Sequence, residues 1–310
     1  MILLTGAAGH IGKRLSKKFL SDGIDFVGID YVNNPELPAD KFVQMDVRDS
    51  GVFDLLRDRK VDAVIHMAFI TKPKMNPKLS YDIDINGSKN IAECAGKNGV
   101  KKVVFISSGR VYGKPAAPGG IYDKEGNYLN PGEDMYGQKK IKAENIFIQA
   151  SNKYDFTLAI LRLGIVNWPG GGEGMGDMIK RTSKNGKFMK LAGKNPPIPL
   201  VHVNDVIDAC INAVGKEGIF DICAEGKMTL VEIYSEAARI SGLKPSPINL
   251  PEAPVVFLVW ILWKLGLSPI PPLFVKMLGY DITRDISKTV NVLGKPKYTI
   301  PQIIEDIVKG

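Results

Sequence analysis

The sequence predicts an α/β fold, a doubly wound parallel sheet followed by a smaller, mainly helical C-terminal part. Three observations predict it. Short apolar runs alternate with amphipathic segments at short spacing through the first half of the chain. The first run breaks into a glycine turn, Gly6-Ala7-Ala8-Gly9-His10-Ile11-Gly12, that leads directly into helical spacing. Chemistry-bearing residues recur where the runs end, and the carboxyl ends of parallel strands are where such sheets bind ligands.

Ile2-Leu3-Leu4 is an apolar run suited to a buried parallel strand, and Lys13–Leu20 after the turn has helical periodicity. Gly6 and Gly9 carry no Cβ, so a pyrophosphate can approach the main-chain N–H groups there. The helix N-terminus adds partial positive charge, and Gly12 lets helix and strand pack closely. His10 and Ile11 complete the turn, which reads as a cofactor site. Ile24–Ile29 is a second strand, ending at Asp30. A carboxylate about 20 residues beyond such a turn can bond ribose hydroxyls and would repel a 2′-phosphate. No Lys or Arg in Tyr31–Pro35 offsets that repulsion, so the expected cofactor is NAD rather than NADP.

Lys41–Met45 and Val61–His66 are the next strands, leading into Asp46-Val47-Arg48-Asp49 and His66-Met67-Ala68. Ile83–Lys97 reads as a helix and Lys102–Ile106 as a fifth strand, ending in Ser107-Ser108. Gly113–Glu133 is a Gly- and Pro-rich loop, Asp134–Ala150 a helix and Phe156–Leu163 a strand. Asn167–Gly176 is a glycine-rich loop of the kind found near ligands. Ile198–Val203 and Gly218–Ile222 are strands around a helix at Asn204–Val214, and from Thr229 the chain reads as helical with proline breaks. The expected division is a Rossmann-type cofactor domain over 1–165, with a return segment at about 198–224, and a substrate domain over 166–197 and 225–310.

Composition narrows the class. Hydrophobic residues make up 45% and charged residues 24% of 310 residues, the profile of a soluble globular protein. Met1 all but begins the first strand, so no secretory leader is expected. Cys94, Cys210 and Cys223 have no metal-like or redox-pair spacing and read as buried thiols in a reducing compartment. His10, His66 and His202 are scattered, and no metal site is expected. The formal charge of +8 includes a run of Lys180, Arg181, Lys184, Lys187, Lys190 and Lys194. It reads first as a solvated helix face and loop, and second as attraction for an anionic substrate. No aromatic residues interleave with it as nucleic-acid binding needs.

The chemistry is expected at Ser108, Tyr136 and Lys140. Tyr136 and Lys140 stand at i and i+4 of one helix, so they share a face. A free tyrosine has a pKa near 10, and a nearby ammonium lowers it by stabilising the phenolate. Tyr136 could then take the proton of a secondary alcohol while hydride leaves the carbon, with Ser108 orienting the oxygen.

These pieces together resemble the extended short-chain dehydrogenase/reductases, in the NAD-dependent epimerase/dehydratase family. The resemblance is carried by TGAAGHIG, Asp30, DVRD at Asp46–Asp49, HMA at His66–Ala68, SSGRVYG at Ser107–Gly113, YGQKK at Tyr136–Lys140, LR at Leu161–Arg162 and LVHVNDV at Leu200–Val206. DISK at Asp285–Lys288 and LGKPKYT at Leu293–Thr299 are similar to its closing segment. The resemblance implies that Asp46 and Val47 flank the adenine, that Met67 and Ala68 line the cofactor's middle, and that Lys140 also bonds the nicotinamide ribose. It implies a cytoplasmic homodimer formed through the tyrosine-bearing helix. The chain departs from the family pattern at four places. Asp84 stands where N-V-x-G-T has Asn, and Gly109-Arg110 where 4,6-dehydratases carry an acidic pair. Ile165 stands where epimerases have the Asn of L-R-x-x-N, and Pro199-Leu200 where they often have Arg.

Ala253–Trp263 carries no charge and is too short to span a bilayer, which needs about 20 apolar residues. It reads as a core helix of the substrate domain. A lid over an apolar substrate, or an interfacial membrane contact, is the less favoured reading. The first functional expectation is an NAD-dependent epimerase of sugars or nucleotide sugars. The alternatives are a 3β-hydroxysteroid-dehydrogenase-like enzyme for a bulky apolar alcohol and a catalytically silent NAD-sensing protein.

Overall fold

The computed structural model describes residues 1–71, 76–113, 121–123, 125, 127–171, 174–191, 193, 195–267, 272, 275 and 281–310. Its centre is a seven-stranded sheet. The strands are β1 (Ile2–Thr5), β2 (Phe26–Asp30), β3 (Phe42–Gln44), β4 (Ala63–His66), β5 (Lys102–Ser108), β8 (Thr157–Leu163) and β12 (Gly218–Ile222). Their order is β3-β2-β1-β4-β5-β8-β12, and every pairing is parallel. The chain winds outward from β1 in one direction, then crosses to β4 and winds in the other. The order reverses between β1 and β4, which leaves a crevice at their carboxyl ends. The turn after β1 and Met67-Ala68 after β4 both open there.

Successive strand residues face opposite layers. Leu3, Val64, Val103 and Phe105 meet Val52 and Leu56 of α2 (Gly51–Asp58), Ile91 and Ala95 of α4 (Gly87–Lys97) and Phe147 of α5 (Met135–Tyr154). Leu4, Ile65, Val104 and Ile106 meet Leu15 and Phe19 of α1 (His10–Ser21) and Val206 and Cys210 of α7 (Val203–Asn212). Burial on both faces is why these strands read as continuous apolar runs.

A third core joins Ile179 of α6 (Met175–Asn185), Phe188 of β10 (Lys187–Leu191) and Ile233 and Ala237 of α8 (Leu230–Ile240). The last helix, Ile300–Lys309, adds Ile303, Ile304 and Ile307.

Four local expectations are corrected. The helix expected over Ile83–Lys97 begins with a π turn, Asp82–Asn86, preceded by α3 (Pro77–Tyr81), which Asn76 caps. The wider turn holds one more residue per turn than an α-helix and turns Asp84 and Ile85 inward. The expected loop Asn167–Gly176 is shorter, because β9 (Ile165–Asn167) pairs with β11 (Leu200–His202) and α6 starts at Met175; residues 172–173 lie outside the described set. Within the expected loop Gly113–Glu133, the short strands β6 (Ile121–Tyr122) and β7 (Tyr128–Leu129) pair, and residues 114–120, 124 and 126 lie outside the described set. The tail after Thr229 is not purely helical, since β13 (Ser246–Leu250) pairs in parallel with β10. Pro247 inside that strand masks it in the sequence, and the two-stranded ribbon tolerates the missing N–H. In the basic run, Lys187 and Lys190 lie on β10, while Arg181 and Lys184 are exposed on α6; Lys194 lies outside the described residues.

The largest correction concerns the apolar tail. Ala253–Trp263 does form a helix, α9 (Glu252–Lys264), but none of its residues is buried. The third core is already closed by α6, α8, β10 and the last helix. A segment apolar on every side also has no single face to turn inward. The next stretch, Leu265–Val275, again apolar in sequence but broken by Pro269, Pro271 and Pro272, lies partly outside the described residues.

Candidate active site

The glycine turn is closed by contacts that exclude side chains. Gly6 has φ of +75°, and a Cβ there would lie 2.9 Å from the amide nitrogen of Ala68. A Cβ on Gly12 would lie 2.1 Å from the carbonyl oxygen of Gly6. Gly9 caps α1, whose first turn holds no acidic residue of its own to compete for its N–H groups. A dinucleotide fits this cradle: bare backbone, a helix N-terminus and the crevice at the strand-order reversal coincide.

Asp30 has a structural task that the sequence did not reveal. Its Oδ2 accepts from the Ala8 amide (3.0 Å) and its Oδ1 from the Val32 amide (3.1 Å), which ties the turn to the end of β2. Thr5 does the same for β4: its Oγ1 accepts from the amides of Met67 (3.1 Å) and Ala68 (3.2 Å) and bonds His66 Nδ1 (2.7 Å). Burial pushes His66 down to about 3, so it is a neutral structural imidazole. His202 likewise caps α7 and stacks on Tyr298.

The other expected cofactor residues separate. His10 stacks on Trp168 at 5.0 Å between ring centroids, and Ile11 packs against the core under α1. Asp46 is bound by Arg48, which also bonds Asp82. Val47 is buried, with its carbonyl accepting from Asn90 Nδ2 (2.9 Å), so its side chain serves the core.

Ser108, Tyr136 and Lys140 are brought together. Ser108 ends β5, and its hydroxyl lies near enough to that of Tyr136 to favour the phenolate. Tyr136 and Lys140 share one face of α5, whose N-cap, Asp134, accepts from the Tyr136 amide (3.1 Å). Lys140 Nζ donates to the carbonyl oxygen of Ile106 at 2.7 Å. Phe69, just past Ala68, links the two halves of the crevice. Lys140 Nζ lies 3.5 Å from its ring centroid, and its ring meets Tyr136 edge-on at 5.6 Å.

Electrostatics place a second cation beside the tyrosine, and burial weakens the ammonium that Lys140 offers it. Burial pushes its ammonium down to about 7, against the opposing pull of Asp84 and Glu144. Its Nζ stands 5.8 Å from the Tyr136 ring centroid, while Arg110 Cζ stands at 4.5 Å. Burial raises the Tyr136 hydroxyl to about 12, and Arg110 is the main group opposing that rise. Arg110, whose guanidinium forks onto both oxygens of Asp134, therefore supplies a second positive charge against the Tyr136 ring. Only the fold reveals this, because Arg110 and Asp134 come from different segments.

The Lys140 shift has a signed consequence. In the unfolded chain the amine stays protonated up to its ordinary value of 10.5, so between pH 7 and 10.5 the unfolded chain binds the extra proton. Stability therefore rises with pH across that window. Thermal melts of the ligand-free protein should show the wild type gaining on Lys140→Met from pH 7 to 10. A constant difference between the two would refute the burial of a titrating Lys140.

Asp84 and Arg110, two departures from the family pattern, are each engaged in an ion pair. Asp84 is fully buried, pairs with Lys139, and accepts from the Ile70 amide at 2.7 Å. A second buried network, Arg162 between Glu144 and Asp123, stiffens the strand ends beneath the site. Ile165 presents no amide from β9, but Asn167 two residues on is buried, and its Oδ1 has no partner among the described residues. Among the described residues there is no cluster of His, Cys, Asp or Glu able to hold a metal, and no helix long and apolar enough to cross a membrane.

Comparison with known proteins places this geometry. The profile of the NAD dependent epimerase/dehydratase family matches residues 2–223. A UDP-glucose 4-epimerase of Mycolicibacterium smegmatis is 30% identical over 266 residues, covering 79% of this chain and 84% of that one. The UDP-glucose 4-epimerase of Thermotoga maritima, solved with UDP-glucose, shares the fold: TM-score 0.77 at 21% identity, over 99% of this chain and 97% of that one. The Thermus thermophilus UDP-glucose 4-epimerase complex with NAD gives 0.75 at 22% identity, over 99% and 97%.

Proposed function

The chain belongs to the NAD dependent epimerase/dehydratase family, and from that premise we propose that it epimerises a sugar carried on a nucleoside diphosphate, with UDP-hexoses the first class to test. The observation that supports this most is the joining of Ser108, Tyr136 and Lys140 to the glycine crevice through Phe69.

Gly6, Gly9, Gly12, Asp30, Met67, Ala68, Tyr136 and Lys140 would hold NAD, which supplies one chemistry here, taking a hydride from a carbon and giving it back. The chain's own groups handle the proton and the geometry. Tyr136 takes the proton from the substrate hydroxyl as the carbon is oxidised, and returns it when the carbon is reduced on its other face. Ser108 holds that oxygen in place through both halves. Arg110 stabilises the phenolate, and Lys140 joins in when an anionic ligand draws it into its protonated form.

The sugar is assigned to the space between the sheet's carboxyl edge and the segments 166–197 and 225–310, the substrate domain of the expected division. The exposed basic residues of α6 favour an anionic substrate. The family resemblance further suggests a homodimer through α5 and a cytoplasmic setting.

The test is incubation with NAD and, separately, UDP-glucose, UDP-N-acetylglucosamine, free hexoses and a sterol. An epimeric nucleotide sugar without net NADH is the expected result. Net NADH from the sterol would favour the dehydrogenase for an apolar alcohol, a reading that Ile165 also supports. No turnover of any substrate would leave an NAD-binding protein and overturn the assignment.

A further inference from the structure

We propose that α9 is a membrane-surface anchor that seats the protein on anionic bilayers, independent of which sugar the active site turns over. The first observation is exposure. Phe257, Leu258, Leu265 and Leu267 are exposed by 62%, 56%, 66% and 71%, and Trp260 by 45%. Water normally drives such side chains inward, and several exposed apolar side chains within one short segment mark a docking face. The second is shape. α9 has thirteen residues, too few to span, with two tryptophans in its second half. Trp260 stacks on Phe257 at 6.1 Å, and Lys264 Nζ lies over the Trp260 ring at 5.0 Å. An indole beside a lysine at the end of an apolar helix suits the boundary between headgroups and acyl chains, where the lysine stem lies along apolar surface and its ammonium reaches outward.

The third observation selects the occupant. α9 continues from β13 through Pro251, and β13 pairs with β10, Lys190 opposite Asn249 and Lys187 opposite Ser246. This unit carries Lys187, Lys190 and Lys264 against one carboxylate, Glu252, and Lys244 leads into it. Met189 of β10 and Ile248 of β13, the residues paired with each other, are also exposed on the ribbon that leads into α9. A second copy of this chain would bring the same positive charge to the contact and be repelled. A leaflet rich in anionic lipid answers both the charge and the apolar helix.

The test is flotation of the full-length, NAD-loaded protein with vesicles of phosphatidylcholine containing about 30 mol % phosphatidylglycerol, and with pure phosphatidylcholine. The wild type should float with the anionic vesicles at least about tenfold more than with the neutral ones, and high salt should weaken the binding. Phe257→Glu/Leu258→Glu should abolish flotation. Both sites are exposed, so circular dichroism and NAD titration should match the wild type. Lys187→Glu/Lys190→Glu, which leaves α9 intact, should erase the preference for anionic lipid. Wild type that stays at the bottom of the gradient overturns the proposal, as does a concentration-dependent dimer in gel filtration that the α9 variant dissolves. Epimerase activity is read separately in vesicle-free buffer, so failure of the anchor and failure of the proposed reaction are distinguishable.

Discussion

Tyr136→Phe is expected to lower kcat by about 10²- to 10⁴-fold, the usual contribution of a positioned acid–base group, while NAD affinity stays within a few-fold of wild type. The substitution removes one oxygen and leaves the ring. The edge-on contact with Phe69 and the stacking under Arg110 both survive, so the crevice keeps its shape. What is lost is the hydroxyl that lies beside Ser108 and that a substrate oxygen can share. Steady-state kinetics and a fluorescence titration of NAD separate the two effects. Turnover within tenfold of wild type would remove Tyr136 from the mechanism. Arg110 supplies an independent check on the tyrosine's ionisation. In Arg110→Met the Tyr136 hydroxyl should rise further, because its main opposing charge is gone, and the pH profile of kcat/KM should move to higher pH.

Breaking the Asp84–Lys139 pair is expected to cost about 3–5 kcal/mol of stability, because removing one partner of a buried pair strands the other's charge. Asp84 is fully buried, and Lys139 is nearly so. Asp84→Asn is the informative change. The amide oxygen still accepts from the Ile70 amide, so the backbone at the end of β4 stays anchored, and only the negative charge disappears. Asn is also the residue the family pattern carries there. Lys139 would then keep Ser80 but lose its counter-ion. Adding Lys139→Met should recover most of the loss, since an apolar replacement needs no counter-charge. Chemical denaturation of the two single variants and the double variant gives the coupling directly. A cost below about 1 kcal/mol for Asp84→Asn would show a water-accessible pair of the surface kind. The same substitution should push Lys140 further down, because Asp84 is the first of the groups holding it up.

The exposed α9 helix explains how a fully apolar segment escaped a correct assignment. Periodicity identifies a helix and its composition identifies a wish to leave water. Neither identifies the surface that takes it. The strand at Ser246–Leu250 escaped for a related reason. Its partner, β10, lies about 60 residues earlier in the chain, and a proline that would end a central strand is harmless in a two-stranded ribbon.

The sequence by itself determined whatever depends on neighbours along the chain. The glycine turn between β1 and α1, the acidic end of β2, the placing of Tyr136 and Lys140 one helical turn apart and the alternation of buried strands all follow from local steric and periodic rules. The tertiary structure decided the charges. Arg110 reaches Asp134, Asp84 reaches Lys139, and Arg162 reaches Glu144 and Asp123, each across segments that only the parallel sheet brings together. An ionisable group's state is set by burial and by charges a few ångströms away in any direction. Sequence spacing holds no record of those distances, and so local spacing shows that Lys140 stands beside Tyr136 but not that burial pushes its ammonium down to about 7.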